Sequence, residues 1–415
     1  MRKVVPRKLP QLSVRHGRAC LKDGKGMRRL TPLLVRHANH SDFRHGWMAQ
    51  QQGFDFNRRN ILAADDDVLE PVADLEPRLA VRTEVCYKPV VPSTRRQFMQ
   101  QSATVLALAG AGCSTLSNSS DGLIIDTHLH LWDLGQQKLP WLNGAPEILR
   151  KSYRLEDYRA ATAGLNVRAV YMEVDVAEDT LPSEAELILG IAAGGQSPIL
   201  GAVIGGRPAD PGFATYVNRF RSNPRFKGIR QVLHTPATPA GYGLKPEFVR
   251  GVQLLGDSGK SFDLCMRAPE LMDGAKLAAE CPGTQFILDH CGNPDLKCFR
   301  TRREGEVAPA HTADDWKRSI DALAKQRNII CKISGVAAGL PPEGGAEDLA
   351  PAVNHCLDSF GPDRVVFGGD WPVCLLGATY QKWVRMLQQI IVSRSHAHQM
   401  QLWSGNALRL YGLHV

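Results

Sequence analysis

The sequence LIIDTHLHL at residues 123–131 decides the fold, because it combines an apolar strand pattern with two histidines near its end. Continuous apolar runs of this length are typical of strands that are covered on both faces, as in a parallel sheet. Seven similar runs follow along the chain. They occupy residues 168–175, 199–206, 226–233, 261–267, 285–291, 328–335 and 364–370.

Helical spacing follows each of these runs, so that strands and helices alternate. The helical segments lie near residues 155–164, 183–193, 212–222, 246–258, 269–280, 313–327, 347–360 and 379–392. Such alternation predicts βαβ units, and eight units fit a (β/α)8 TIM-like barrel of roughly 250 residues plus insertions. A doubly wound sheet is disfavoured, since its first strand normally leads into a glycine-rich phosphate turn, whereas this one ends in His-x-His.

Polar residues stand at the carboxyl ends of nearly all the predicted strands. They are Asp126, His128, His130, Glu173, Asp175, Arg230, His234, Arg267, Asp289, His290, Lys332, Ser334 and Asp370. The carboxyl ends of barrel strands meet at one mouth, where barrel enzymes carry their catalytic groups. Because charged residues are rarely buried without a partner or a function, this ring predicts an active site.

The motif His128-Leu129-His130 sends both imidazoles to one face of the first strand, because strand side chains alternate. Two neutral imidazoles suit a divalent ion of the Zn, Mn or Fe type, or a substrate oxygen. A second His-x-His, residues 396–398, lies in a polar segment after the last barrel helix and is predicted to be surface. Only the first pair has His290 and Asp370 at the ends of other strands.

These residue types predict hydrolysis of an ester or lactone. Asp370 is the predicted general base, which must lie within hydrogen-bond reach of a water molecule. A metal ion, or the histidines His128, His130 and His290 together with Arg230, would polarise the carbonyl and stabilise the oxyanion. Asp370, His290 and Arg230 are thus the catalytic candidates.

Basic and aromatic residues near this centre are predicted to bind the substrate. Arg267 and Lys332, with Arg230, are candidates to hold a carboxylate or hydroxyl groups, and Arg can do so with two hydrogen bonds. Trp132 is placed in the first loop as part of the pocket. Glu173 is interpreted either as a pocket wall or as a structural partner of Lys332.

Three other carboxylates lie close to these residues in the sequence. Asp126 and Asp289, beside the active-site histidines, are predicted to face the helices and to act in capping or packing. Asp133, beside Trp132, is predicted to line the pocket from the first loop.

The first 120 residues differ in composition from the rest of the chain. They hold 19 Lys and Arg against 10 Asp and Glu, whereas residues 121–415 hold 31 against 32. A near-neutral body disfavours nucleic acid as a partner, because phosphate neutralisation needs a basic face on the folded domain. Residues 1–92 show no sustained apolar period, which predicts a disordered stretch or an extension of the gene model.

Residues 93–120 combine an Arg-Arg pair, a short apolar run and a small-residue, Ser-rich exit. The run is too short to span a bilayer and fits an export signal. The segment resembles a twin-arginine (Tat) signal, which implies the Tat translocase as a partner during export. The resemblance places the protein in the periplasm or anchored on the outer side of the bacterial inner membrane, with Cys113 as a candidate lipid anchor. Residues 121–415 then form the barrel domain.

The motifs IIDTHLHLWD, GIRQVLH, FILDHCGNP, ICKISG, VVFGGDWP and NALRLYGL occur in this order between residues 122 and 413. Together they resemble the amidohydrolase superfamily, and within it the amidohydrolase-2 branch of metal-dependent hydrolases and sugar-acid lactonases. The resemblance implies that His128, His130, His290 and Asp370 hold one divalent ion, with Zn²⁺ favoured over Mn²⁺. The bridging lysine of binuclear members has no convincing counterpart. Some lactonases of this branch work without tightly held metal, so metal-free catalysis stays open.

The predicted function is therefore the opening of a lactone, or a similar ester or cyclic bond, of a small sugar acid or carboxylic acid. The enzyme class is a metal-dependent carboxylic ester hydrolase with a small-molecule substrate. The alternatives are a metal-dependent decarboxylase of an unsaturated or aromatic acid and, as a weaker choice, a C–N hydrolase. From a different class, an exported binding protein on the same barrel also remains open.

The chain has ten cysteines, and none forms a C-x-x-C pair. This spacing gives no signature of a zinc knuckle or a redox dithiol. Several of the seven cysteines in the body lie inside apolar runs, which favours core packing over chemistry.

Overall fold

The computed structural model describes residues 11–15, 18–23, 26–29, 122–302 and 305–415. The first three of these ranges are the strands Gln11–Arg15, Arg18–Asp23 and Gly26–Arg29, which pair as an antiparallel sheet. The export signal and most of residues 1–92 lie outside the described residues. The division at residues 92 and 120 therefore stays a prediction.

Eight parallel strands form the barrel, and each pairs with its neighbours in chain order. They are β1 (Ile124–Leu129), β2 (Val167–Met172), β3 (Ile199–Gly205), β4 (Phe226–Val232), β5 (Ser261–Cys265), β6 (Phe286–Leu288), β7 (Ile329–Ile333) and β8 (Val365–Phe367). A parallel bridge between Leu129 and Trp371 joins the last strand to the first. The sheet is thus a nearly closed barrel.

A helix follows every strand of the barrel, as the sequence predicted. These helices are α1 (Leu155–Ala161), α2 (Leu181–Ala193), α3 (Phe213–Phe220), α4 (Pro246–Asp257), α5 (Leu271–Glu280), α6 (Ala313–Lys325), α7 (Ala346–Phe360) and α8 (Tyr380–Ile391). Two short helices, α9 (His396–Met400) and α10 (Asn406–Leu410), come after them. The predicted (β/α)8 class is confirmed.

Aromatic side chains fill the layer between the strands and the helices. On β5, Phe262 is fully buried and packs edge-on against Phe248 of α4, with their ring centroids 5.6 Å apart. Burial of one such side chain contributes about 1.5–3 kcal/mol. Two helix tryptophans also donate hydrogen bonds to loops at the barrel mouth, Trp316 to the carbonyl of Cys291 at 3.1 Å and Trp383 to that of Gly368 at 3.0 Å. The helix layer therefore helps to position the site.

The second His-x-His pair lies on α9, where His396 and His398 are both exposed. This placement agrees with the surface position predicted for the pair. Among the helices of the described residues, none has the length and hydropathy needed to cross a membrane.

Candidate active site

The two histidines of β1 meet at the barrel mouth. The Nε2 atoms of His128 and His130 are 3.1 Å apart, and both residues are buried. The Nδ1 atom of His130 lies 3.0 Å from the carbonyl of Met172, which accepts a hydrogen bond only from a protonated Nδ1. Its Nε2 therefore presents a lone pair to the site.

Asp126 ties the first strand to the last one and to the helix layer. One carboxylate oxygen accepts from the backbone N–H of His128 at 3.0 Å and of Gly369 at 2.7 Å. The other oxygen accepts from the Tyr158 hydroxyl of α1 at 2.8 Å. Burial raises the pKa of this carboxyl, and the two backbone N–H groups oppose the rise. Asp126 thus lies where the sequence placed it, in the outer layer.

Asp370 stands just beyond β8 and closes the barrel through its own backbone. Its N–H donates to the carbonyl of His128 at 2.8 Å, and the N–H of His130 donates to Trp371 at 2.9 Å. The Asp370 carboxylate lies 3.5 Å from Nε2 of His130 and 3.8 Å from Nε2 of His128. Burial raises the pKa of Asp370 to about 6, although His290 and Arg230 favour the charged form. A carboxyl group tuned in this way suits a general base.

The end of β6 departs from the prediction. The strand stops at Leu288, and His290 and Cys291 take left-handed backbone angles, with φ of 55° and 52°. His290 therefore reaches the mouth from a turn, and its Nδ1 lies 3.0 Å from the Ser334 hydroxyl. Its ring centroid is 4.4 Å from that of His128.

The prediction that Asp289 faces the helices was wrong. Asp289 keeps the inward direction of Ile287, because strand alternation holds up to the turn and breaks only after it. Its carboxylate lies 2.9 Å from Nζ of Lys332, 3.4 Å from Nδ1 of His128 and 3.5 Å from Arg230. Burial alone would raise the pKa of Asp289, but Lys332, together with His128, holds it well below its usual range.

A buried network of charged side chains contacts His128. Arg230 donates through Nε to the Glu173 carboxylate at 2.6 Å and through a terminal nitrogen to the Glu173 carbonyl at 2.7 Å. Its other terminal nitrogen lies 3.4 Å from Nε2 of His128. Lys332 lies 2.7 Å from Asp263 and 3.2 Å from Nδ1 of His128. Nearly every charged side chain of this network pairs with one of opposite charge inside the barrel, because an unpaired buried charge is costly.

Two predicted substrate-binding residues belong to this network instead. Lys332 and Glu173 are both fully buried, and neither is among the described residues that line the cavity. Glu173 pairs with Arg230, not with Lys332 as one interpretation had it. Asp263 was missed, although its position inside the apolar run of β5 is a signal that could have found it.

Arg267 also lies outside the cavity lining of the described residues. Its guanidinium donates to three carbonyls of the loop after β4, those of Leu233, Thr235 and Thr238, and pairs with Glu270 at 3.0 Å. The residue braces this loop, and the prediction that it binds substrate stays a prediction. Asp133 likewise lies outside the lining and pairs with Arg154 at 2.9 Å.

Glu184 of α2 is a buried carboxyl beside this network. One of its oxygens accepts from the Tyr171 hydroxyl at 2.8 Å and from the Val174 N–H at 2.9 Å, and the other has no hydrogen-bond partner among the described residues. Burial, with the nearby Glu173 carboxylate, raises its pKa from 4.5 to about 8. The folded protein therefore keeps this proton at pH values where the unfolded chain has lost it.

This raised pKa predicts a pH-dependent loss of stability. Between about pH 4.5 and about pH 8 the folded state binds one more proton than the unfolded state, so the free energy of unfolding falls as pH rises, and the effect levels off above about pH 8. In Glu184→Gln, we expect the free energy of unfolding to fall less steeply with pH than in the wild type, by about 1.4 kcal/mol per pH unit. Urea unfolding across this pH range measures the difference. Glu186→Gln, at an exposed position of the same helix, is the matched control. An unchanged slope in Glu184→Gln would contradict the assignment.

The cavity at the mouth has a volume of about 530 Å³. Trp132, as predicted from the sequence, lies on its wall with Trp141, and the two ring centroids are 5.6 Å apart at nearly a right angle. Asp370, His130 and Arg230 reach its floor from strand ends, and His290 reaches it from the turn after β6. Trp141 had no signal in the sequence that marked it for the site. The full lining is His130, Trp132, Pro140, Trp141, Asn143, Gly144, Val174, Asp175, Arg230, Val232, His234, Thr235, Pro236, Cys265, His290, Asn293, Pro294, Gly335, Val336, Ala338, Gly339, Asp370 and Val373.

Asp175 lines the cavity from the end of β2. It has a left-handed backbone with φ of 48°, and its N–H donates to the Glu173 carboxylate at 2.7 Å. Arg207 lies 3.5 Å from its carboxylate. Burial and the charge of Glu173 raise its pKa to about 6. His234, on the same wall, is neutral because burial lowers its pKa to about 3.

The group of His128, His130 and Asp370 fits one divalent cation. Zn–N bonds are about 2.0–2.1 Å long, so two imidazole nitrogens 3.1 Å apart are well separated for two ligands of one ion. Burial lowers the pKa of His130 to about 3, and metal ligands must be neutral imidazoles. The nearby positive charge of Arg230 is offset by Glu173 and Asp289.

A second group, His128, Asp289 and His290, shares one histidine with the first. Its carboxylate, that of Asp289, approaches His128 at Nδ1 with a distance of 3.4 Å, and this nitrogen also lies 3.2 Å from the Lys332 ammonium. Repulsion from this buried cation favours the first group. His290 would then stand beside the ion rather than among its nearest ligands.

The site thus joins a His-x-His strand, a third histidine and an aspartate after the last strand at the mouth of a (β/α)8 barrel, an arrangement that fits a barrel hydrolase. Residues 125–413 match the family model described as Amidohydrolase, and the chain belongs to this family. The predicted family is thereby confirmed.

Several relatives of the chain are named lactonases. The chain is 29% identical over 298 residues to the L-fucono-1,5-lactonase of Burkholderia multivorans, which covers 70% of this chain and 96% of that protein. It is 23% identical to the L-rhamnono-gamma-lactonase of Scheffersomyces stipitis over 70% of this chain and 98% of that one. A crystal structure of an amidohydrolase from Burkholderia multivorans with bound zinc aligns with a TM-score of 0.60 and 26% identity, over 70% of this chain and all of that one.

Proposed function

We propose that the protein hydrolyses a neutral lactone of a small sugar acid. The observation that carries the proposal is the floor of the cavity, where the Asp370 carboxylate, the lone pair of His130 and the guanidinium of Arg230 converge. The two lactonase relatives, which are named for sugar-acid lactones, support the same reaction class.

Asp370 is the general base in this mechanism. Its carboxylate takes a proton from a water molecule, and the resulting hydroxide adds to the lactone carbonyl. When the tetrahedral intermediate collapses, the protonated Asp370 returns the proton to the departing ring oxygen. One water is consumed, and the product is the open hydroxy acid. A pKa near 6 lets one carboxyl group perform both transfers at neutral pH.

Arg230 stabilises the oxyanion. Glu173 binds two of its guanidinium nitrogens, so the third is held toward His128 and the cavity. A fixed cation in a site that excludes water stabilises the charge that develops on the carbonyl oxygen without having to reorganise. His290 closes the same side of the floor. Arg230, His290 and Asp370 are therefore our proposed catalytic residues.

His128, His130 and Asp370 would hold one divalent ion, Zn²⁺ in preference to Mn²⁺. Such an ion, when bound, supplies a Lewis acid that polarises the carbonyl. The zinc-bound relative supports this assignment. The residues also suffice for a metal-free reaction, in which Arg230 alone carries the oxyanion.

The charges of the cavity favour a neutral substrate over a carboxylic acid. Arg230 is the one Lys or Arg among the described lining residues, and Glu173 already neutralises it. Asp175 and Asp370 add negative charge, which would repel a substrate carboxylate. The Asp175 carboxylate instead suits sugar hydroxyls, which donate hydrogen bonds. A decarboxylase of aromatic or unsaturated acids therefore finds less support here.

Metal content and lactone hydrolysis test the proposal together. We expect the chain, purified without chelator, to hold one divalent ion and to open neutral aldonolactones faster than carboxylated lactones. His128→Ala/His130→Ala should lose both the metal and the activity. The exposed pair His396→Ala/His398→Ala is the matched control and should keep both. Hydrolysis without bound metal would support the lactonase assignment and contradict the metal site. No turnover of any lactone would overturn the proposal.

Export is a separate proposal that rests on the sequence alone. Residues 93–120 would direct the chain to the Tat translocase and to the outer side of the inner membrane, with Cys113 as the candidate lipid attachment site. These residues lie outside those that the structure describes.

A further inference from the structure

Three cysteines meet behind the active-site turn. Cys291 follows His290 directly, Cys331 lies on β7 and Cys356 lies on α7. Each of them is fully buried, and their sulfur atoms all lie within 4.8 Å of one another. Residues from three separate elements thus place three thiols at one point.

The backbone fixes this arrangement. Lys332 faces the barrel interior, so the neighbouring Cys331 points outward, toward α7 and Cys356. The left-handed turn at Cys291 brings its sulfur to 3.8 Å from the carbonyl of Lys332. Trp316 holds the turn in place through its hydrogen bond to the Cys291 carbonyl.

The donor set selects the kind of ion. Among the described residues this group contains three sulfurs and no histidine or carboxylate. Structural zinc sites are almost always tetrahedral, so zinc would lack a fourth protein ligand here. Thiolate sulfur is a soft donor that favours Cu(I), zinc and iron–sulfur clusters, and the latter two usually take four protein ligands.

Charge leads to the same choice. If one of the three thiols loses its proton on binding, a monovalent cation leaves the buried site neutral. A divalent cation would need two thiolates to reach the same neutrality, and burial makes each further loss of a thiol proton more costly. Net charge in an apolar interior is costly. We propose that Cys291, Cys331 and Cys356 form a binding site for a soft monovalent cation of the Cu(I) type.

Ag(I) is a soft monovalent probe that needs no reductant to keep its charge. The full chain, with its thiols reduced, is incubated with Ag(I), washed with excess glutathione to strip single-thiol sites, and analysed for silver per chain. We expect the wild type to retain one Ag(I) per chain and Cys356→Ala to retain almost none. Cys281→Ala removes a buried cysteine outside the group and should retain silver as the wild type does.

X-ray absorption on the silver-loaded wild type adds a measurement that does not depend on any variant. Three sulfur neighbours around the silver are expected. Complete stripping by glutathione, equal retention in a folded Cys356→Ala, or fewer than three sulfur neighbours would each overturn the proposal. Thermal unfolding of both variants establishes that they are folded.

Discussion

Replacement of Asp370 by Asn is expected to lower kcat for lactone hydrolysis about 10³-fold, which is within the range that a general acid–base residue contributes. The amide has the shape of the carboxylate but cannot take the proton of the attacking water. Because the new NH2 group can donate to the nitrogen lone pairs of His128 and His130, the fold should be kept. The measurement is steady-state kcat and KM on the best lactone found for the wild type.

Asp133→Asn serves as the control for this experiment. Asp133 lies in the loop after β1, outside the described cavity lining, and pairs with the half-exposed Arg154. Its substitution should leave kcat within about twofold, since exposed ion pairs contribute only about 0–1 kcal/mol. If the folded Asp370→Asn kept more than a tenth of the wild-type kcat, another group would have to be the base.

The second large effect is expected on stability, from Lys332→Met. Lys332 neutralises two buried carboxylates, those of Asp263 and Asp289, at 2.7 and 2.9 Å. Removal of one partner leaves an uncompensated buried charge, which costs about 3–5 kcal/mol. Urea unfolding should report this loss. Methionine has nearly the same length, so the loss would reflect charge rather than a cavity.

A matched control and a rescue accompany this variant. Lys276→Met breaks an exposed pair with Asp273 and should cost at most about 1 kcal/mol. Adding Asp263→Asn to Lys332→Met should recover part of the stability, because one of the two orphaned charges is gone. A Lys332→Met protein as stable as the wild type would show that the network does not hold the barrel together.

The order of the strands and helices could be predicted because it depends on patterns that lie within one segment. Each strand is a short apolar run, and each helix has its own spacing. The roles of His128, His130 and Asp370 as neighbours also followed from strand ends, since parallel barrel strands bring those ends together. The motifs IIDTHLHLWD and VVFGGDWP, which resemble the family, contain the same three residues.

The errors arose where a side chain's direction depends on a partner elsewhere in the chain. The direction of Asp289 and the position of His290 on the strand were mispredicted because a left-handed turn ends β6 three residues earlier than predicted. Lys332 was assigned to the substrate because a lone cation at a strand end has no visible partner in the sequence. Its partner Asp263 lies on another strand, and only the closed barrel brings the two together.

The seam of the barrel passes through the active site. Thr127 donates to the carbonyl of Phe367 across 240 residues of chain, and Asp370 binds the backbone of His128 beside it. The first strand of the barrel leaves the ribosome long before the last one. His128 and His130 therefore lack their contacts with Asp370 and Trp371 until the final segment has been synthesised. A nascent chain that stops before β8 therefore has every histidine of the site but lacks Asp370, the proposed base, and the proposed activity would report that synthesis of the barrel is complete.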